Sequence, residues 1–304
     1  MTWARGAGYR LLGPAFDYLL HTRPAEWPIM AGHTLVGYVL AVGAQGVLGG
    51  DRVGEALLGL ALWVICLNGG TLAFNSAYDR DVGDVAYLRQ PPPPPRHLAA
   101  FGLGLMLLGL FAAFALPVGY RIAYAICLVL SVLYSAPPIR LKAVPGADWV
   151  INMWGFGTLT PYAGWAATGI PISLASGLVL LGFCPLFAAF YPLTQIYQFE
   201  EDSLRGDRTL ARSLGVKRSL IVSLVSVGAA FGLFGVAGKL AGWGPAGSWR
   251  WVVLGLCAVS WLTLLTAWLW RHAYMDVREH QRGLYQALGA WALTDVAVLL
   301  AWST

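Results

Sequence analysis

Nine stretches of mostly apolar residues, each close to the ~20 residues a helix needs to cross a bilayer, run through this chain and leave it few ways to fold. They lie near 27–48, 53–76, 98–116, 119–135, 147–168, 172–196, 217–240, 248–274 and 283–302. Backbone N–H and C=O groups find no partner in hydrocarbon, so such a segment must bond to itself as a helix or close into a barrel. The stretches have the length of membrane-crossing helices and read as such. The expectation is an all-α integral membrane protein with nine transmembrane helices, one domain over residues 1–304. An arrangement of eight that fuses or loses one is the alternative. Composition agrees. Of 304 residues 58% are hydrophobic and 12% charged, where a soluble domain has about a quarter charged.

The basic residues orient the bundle. The N-terminus and the loops after the second, fourth, sixth and eighth stretches carry sixteen of the 20 Lys and Arg, and the other side carries only Arg52, Arg121, Lys239 and Arg250. By the positive-inside rule the N-terminus is cytoplasmic and the C-terminus lies on the opposite side. No cleavable signal peptide is expected, because Pro14, Asp17 and Arg23 interrupt the early sequence. The four cysteines all fall within apolar stretches without metal-ligand spacing, and are read as small buried hydrophobes. The net charge of +5 follows this topology and does not call for nucleic acid.

Two acidic clusters end apolar stretches on the cytoplasmic side. The first is Asn75-Ser76-Ala77-Tyr78-Asp79-Arg80-Asp81-Val82-Gly83-Asp84. Asn75 and Asp79 are four apart and share a helix face, with Asn68 deeper on the same stripe. The second is Gln198-Phe199-Glu200-Glu201-Asp202, in which Gln198, Glu201 and Asp202 can reach one face. Mg²⁺ takes oxygen ligands, one or two of them carboxylates, together with substrate phosphates. A solvated helix cap is the competing reading of either cluster alone. The loops concerned, about 75–97, 135–146 and 197–218, hold most of the polar residues. The first also contains Pro91 to Pro95, expected as a stiff polyproline II spacer.

Between the fourth and fifth stretches lies Tyr134-Ser135-Ala136-Pro137-Pro138-Ile139-Arg140-Leu141-Lys142. It offers a phenol, a guanidinium that can grip phosphate through two N–H bonds, and an ammonium. Carboxylates holding Mg²⁺ and cations binding directly, at the mouth of an apolar bundle, suit a molecule with a diphosphate head and an apolar tail. Prenyl diphosphates have that polarity. Metal and cations stabilise the departing diphosphate, and a dry wall protects the allylic carbocation left behind.

Asn75-x-x-x-Asp79-Arg80-Asp81 resembles the first aspartate-rich motif of the UbiA superfamily of intramembrane prenyltransferases. The segment Tyr134 to Lys142 resembles its basic segment, and Gln198 to Asp202 through Gly206-Asp207-Arg208-Thr209-Leu210-Ala211 and Leu214-Gly215 its second motif. Arg23-Pro24 also fits. Departures exist: Ser76 replaces a usual Asp, Gln198 replaces a usual Asp, and Asp84 stands one place beyond the usual acid at Gly83. The resemblance implies nine helices around a central apolar cavity open to the cytoplasmic face. It implies Mg²⁺ held by Asn75, Asp79, Asp81, Asp84, Gln198, Glu201 and Asp202, with Asp79 and Asp202 catalytic. It also implies diphosphate bound by Arg23, Arg80, Tyr134, Arg140, Lys142 and Arg208. Asn68 and Asn152 are candidate cavity residues.

The expected reaction is transfer of a prenyl group from a prenyl diphosphate to a lipophilic acceptor of aromatic type. A terpene cyclase working from the same site is the alternative, and a transporter a third reading. Of the remaining polar residues, His33 is expected to pack structurally. Asp148 is expected to cap a helix. Asp295 is expected as an intramembrane acid near the outer face.

Overall fold

The computed structural model describes residues 3–79, 88–199, 203, 206–244 and 248–303. Two short helices, α1 (Trp3–Leu12) and α2 (Phe16–His21), precede the bundle, joined through the Tyr9 hydroxyl, which donates to Asp17 at 2.6 Å. Then follow α3 (Trp27–Gly49), α4 (Val53–Asp79), α5 (Leu98–Ala115), α6 (Val118–Ser135), α7 (residues 147–167), α8 (Leu174–Ile196), α9 (Leu210–Leu240), α10 (Trp249–Tyr274) and α11 (Val277–Ser303). Among the described residues eight helices, α3 to α6 and α8 to α11, are long and apolar enough to cross a membrane.

The expected count of nine meets a difference at α7. Its residues are helical through Ala147–Asn152, a π-helical stretch Met153–Leu159 and Thr160–Ala167, but Asp148, Asn152, Thr158, Thr160, Pro161 and Tyr162 leave it less apolar than the other eight. Pro161 has no N–H to return to the carbonyl of Gly157, and the Thr160 hydroxyl donates to Gly155 O at 2.9 Å, so the regular ladder cannot run through. A second π stretch, Leu62–Gly69, interrupts α4. The expected start of the seventh stretch at 217 also has a structural counterpart. The helix begins at Leu210 but breaks at Gly215, whose φ of 75° suits glycine and few other residues.

Small residues let the helices touch. A Cβ on Gly37 would collide with the Pro161 carbonyl, and one on Gly164 with the Thr34 carbonyl, so α3 and the second half of α7 meet backbone to backbone. The buried side chains form two clusters. One joins Met30 of α3 with α4 to α7, through Trp63, Met106, Tyr120, Tyr124 and Ala163. The other joins Val36 of α3 with α8 to α11, through Phe183, Phe234, Trp261 and Val298. Large side chains such as Phe111, Val225 and Trp270 point outward and are exposed, as a lipid-facing surface requires. A cavity opens between the two clusters.

Candidate functional site

Consecutive helices run in opposite directions, so the start of α3 and the ends of α4, α6 and α8 meet at one end of the bundle. That end carries the polar residues. The cavity beneath it measures about 410 Å³. Its rim is formed by Arg23, Asn75, Asp79, Tyr134, Lys142, Gln198 and Asp207, and its depth by Trp63, Leu67, Phe156, Phe187, Phe190 and Trp291. Both π stretches contribute to the wall, Trp63 and Asn68 from one and Gly155 and Phe156 from the other.

Cations and oxygen donors interleave on the rim. The Lys142 ammonium donates to Asn75 Oδ1 at 3.0 Å and pairs with Asp79 Oδ1. Arg140 donates from Nη1 to Asp207 Oδ1 at 2.6 Å and from Nη2 to Asp207 Oδ2 at 3.3 Å, and it reaches Asp79 Oδ1 at 3.4 Å. Ser135 Oγ donates to Asn75 Oδ1 at 3.1 Å, which fixes that amide. Lys142 is 8% exposed, so this charge sits inside the protein wall and not on its surface.

Two of the cations stand on strained backbone. Arg23 has φ 51° and Arg140 φ 40°, a region that costs an L-residue about 1–2 kcal/mol. The turn at Arg23 carries its side chain inward, where Nη2 lies 3.5 Å from Ser76 Oγ. Glu26 follows three residues later, its N–H bonded to Arg23 O at 2.9 Å, and its carboxyl also lines the cavity. Burial pushes the Glu26 carboxyl above its ordinary range, against the opposing pull of the Arg23 charge.

The structure thus gathers Arg23, Asn75, Asp79, Tyr134, Arg140, Lys142 and Gln198 at one mouth, and sets Asn68 and Asn152 in the wall. It does not bring Arg208 there. That residue is exposed and borders a separate shallow depression with Gly206 and Arg212. Arg80, Asp81, Asp84, Glu201 and Asp202 lie outside the described residues.

Several roles differ from the sequence reading. Asp148 is more than a helix cap. Fully buried, its carboxylate accepts from Gly146 N at 2.9 Å, Gln195 Nε2 at 2.7 Å and Leu210 N at 3.0 Å. Gln195 Oε1 accepts in turn from Ala211 N at 3.0 Å. This strut pins the start of α9, and with it Asp207, to α7 and α8. Deep in the cavity, His33 Nδ1 lies 3.1 Å from Asp295 Oδ1, and Nε2 lies 3.3 Å from Gly157 O. The two residues therefore satisfy each other and fasten α3 to α11. Asp207 and Glu26 were given no role from sequence. An acid three residues after Arg23, just where an apolar stretch begins, was the available signal for Glu26.

The donor set fits a hard divalent cation. Asn75, Asp79, Asp207 and Gln198 offer amide and carboxylate oxygens without a thiolate or imidazole among them. Among the described residues no three His, Cys, Asp or Glu side chains converge on one point, so a metal here would complete its shell from diphosphate oxygens and water.

Comparison with known proteins gives a consistent result. Residues 30–288 match the model of the UbiA prenyltransferase family. The lycopene elongase/hydratase of Haloferax volcanii is 29% identical over 219 residues, covering 68% of this chain and 68% of the relative. The chloroplastic chlorophyll synthase of Oryza sativa subsp. japonica is 28% identical over 165 residues, 46% of this chain and 43% of its own length. A UbiA homolog from Archaeoglobus fulgidus, solved bound to DMAPP and Mg²⁺, superposes with a TM-score of 0.71 at 22% identity, over 95% of this chain and 99% of that one. A digeranylgeranylglyceryl phosphate synthase structure superposes at 0.69 with 15% identity, over 95% and 98%. At those identities the structural likeness establishes the fold.

Proposed function

The chain belongs to the UbiA prenyltransferase family, an integral, multi-pass membrane enzyme by its helices, and from that premise we propose that it moves a prenyl group from a prenyl diphosphate to a lipophilic acceptor at the mouth of its cavity. The observation that carries this reading is the Lys142–Asp79–Arg140–Asp207 array set above an apolar chamber. Cations beside carboxylates at a dry mouth suit a metal-bound diphosphate, and the chamber suits its tail.

In this reading Asn75 and Asp79, with Asp81, Asp84, Gln198, Glu201 and Asp202, would hold Mg²⁺, which would supply positive charge to the leaving diphosphate. Lys142, Arg140 and Arg23 bind diphosphate oxygens directly, and Arg80 and Tyr134 are further candidates. Ser135 keeps the Asn75 oxygen aimed at the rim. Arg140 arrives already held by Asp207, so little reorganisation is needed when charge develops. Phe156, Phe187 and Trp291 keep water from the carbocation. The crossing of α7, whose 21 residues reach about 30 Å at 1.5 Å each, would put the termini on opposite sides. The basic residues would place the catalytic mouth in the cytoplasm. Residues 1–304 act as one domain.

Titrating the purified protein in nanodiscs with geranylgeranyl thiolodiphosphate, with Mg²⁺ and then with EDTA, tests the site. Saturable binding that EDTA weakens at least tenfold is expected. Absence of binding in both conditions would refute the diphosphate site.

A further inference from the structure

We propose that Glu26 is the base that takes the proton lost by the acceptor once its new carbon–carbon bond has formed. The inference rests on the prenyl-transfer reading above and adds a residue that the motifs do not contain.

Alkylation of an unsaturated acceptor creates a disposal problem. The prenyl C1–O bond breaks and its electron pair leaves with the diphosphate. A π pair of the acceptor then bonds to C1, and the acceptor becomes a cation. A C–H bond on the alkylated acceptor must break, its electrons restoring the double bond or ring. The proton needs a basic atom inside the dry cavity, close below the diphosphate.

Three described carboxylates line the cavity: Glu26, Asp79 and Asp207. Asp79 is engaged by Lys142 and Arg140, and Asp207 by both Nη atoms of Arg140. His33 lies deep and is bound to Asp295. Glu26 differs in position and in surroundings. The strained turn at Arg23 directs both side chains inward, Arg23 toward Ser76 and Glu26 toward Asn68. Ser76 and Asn68 are eight residues apart along α4, an axial distance of about 12 Å at 1.5 Å per residue. Arg23 therefore meets α4 near Asn75 on the rim, and Glu26 meets it deeper in the cavity wall, beside Asn68 and still within reach of the Arg23 charge. Glu26 is 9% exposed, so bulk water does not compete for the proton.

Charge around Glu26 suits the task. The charge that acts on it is the Arg23 guanidinium on its own turn, and the group facing it from α4 is the neutral amide of Asn68. Burial raises its proton affinity and the guanidinium keeps the carboxylate form accessible. A buried carboxylate whose proton affinity is raised is a stronger base than a solvated one, which favours proton transfer. Once protonated, Glu26 can release its proton toward the mouth, where diphosphate departs.

The test uses the full chain in nanodiscs, tritiated geranylgeranyl diphosphate, and the total lipid extract of the native cells as acceptor source. Glu26→Gln keeps the shape and the neutral form that burial favours. Its transfer of label to lipid is expected to fall about 100-fold. Binding of geranylgeranyl thiolodiphosphate should stay within about threefold of wild type, and the share of label recovered as prenyl alcohol should rise. The acid limb of the wild-type pH–rate profile should disappear, and Glu26→Asp should recover part of the rate. Transfer by Glu26→Gln at the wild-type rate would overturn the proposal. So would an equal loss of transfer and analogue binding, which would make Glu26 a support for Arg23. Wild-type protein that releases diphosphate but labels no lipid would instead defeat the transfer reading, and the base assignment with it.

Discussion

Lys142 sits against the Asp79 carboxylate across 63 positions of sequence, and the same ammonium donates to Asn75 at 3.0 Å. The loop after α6 is thereby tied to the end of α4. Both partners are nearly buried, with side-chain exposures of 9% and 8%. An exposed pair would contribute about 0–1 kcal/mol; a buried one must be matched on both sides or it destabilises the fold. In the proposed reaction a metal-bound diphosphate would exchange one set of opposite charges for another at this pair.

Replacing Asp79 by Asn keeps the shape and removes the charge. Lys142 is then left with Asn75 and Arg140 with Asp207, so the variant should fold but unfold at a lower temperature than wild type, because a buried ammonium has lost its neutralising partner. Turnover should drop by two orders of magnitude or more, measured as diphosphate release. Near-normal turnover would remove the metal assignment.

Lys142→Ala separates binding from scaffolding. It should weaken geranylgeranyl thiolodiphosphate by at least tenfold, about 1.4 kcal/mol. Asp79 loses its neutralising partner as well, so a modest stability loss should accompany it. Unchanged affinity would reduce Lys142 to a topology-setting charge and leave Arg140 and Arg23 as the cationic part of the site.

Asp148 offers a different kind of test, because it does not itself line the cavity and acts through Gln195 and Leu210. Asp148→Ala would leave the buried Gln195 donor unsatisfied, at a cost of roughly 1–3 kcal/mol, and remove the acceptor of the half-buried Gly146 and Leu210 N–H groups. A lower midpoint of thermal unfolding is expected, with KM for the prenyl diphosphate rising because Asp207 loses its mooring. Unchanged KM and midpoint would show that α9 holds its own start.

The stability of the protein should depend on pH through Glu26. Its folded-state pKa is raised, chiefly by burial, so the folded state favours the protonated form. The contribution is present in full below the unfolded-state pKa and is lost as pH rises through the raised folded value. Glu26→Gln should therefore gain stability relative to wild type as pH rises from acidic toward neutral, and the two should converge at low pH. A difference between the two proteins that does not vary with pH would contradict this.

The helices were legible in the sequence because hydrocarbon forces each apolar stretch to satisfy its own backbone. The π-helical stretch of α7 was less so: Pro161 marks where the ladder must yield, but a sequence does not say that the helix answers with a π-helical stretch over Met153–Leu159. Asn75, Asp79, Arg140 and Lys142 could be named because charge at a membrane boundary is costly and conspicuous. Their pairing could not be, because contacts between residues more than sixty positions apart depend on how helices return to the same end. Asp148 and Asp295 show the same limit. Each was visible as an acid in an apolar stretch, but the carboxylate's partners come from other helices, Gln195 and Leu210 in one case and His33 in the other. Glu26 was hidden by the turn at Arg23, whose left-handed backbone redirects a side chain that a plain helix start would leave facing outward.

The central claim is that the array around Asp79 transfers a prenyl group within the membrane. Mass spectrometry of lipids from cells expressing the wild-type chain, the Asp79→Asn variant or neither tests it most directly. The account predicts a lipid species heavier than a host lipid by a prenyl group, present with wild type and absent from the other two. A lipid profile that is the same in all three, or a new species that Asp79→Asn makes equally well, would contradict it.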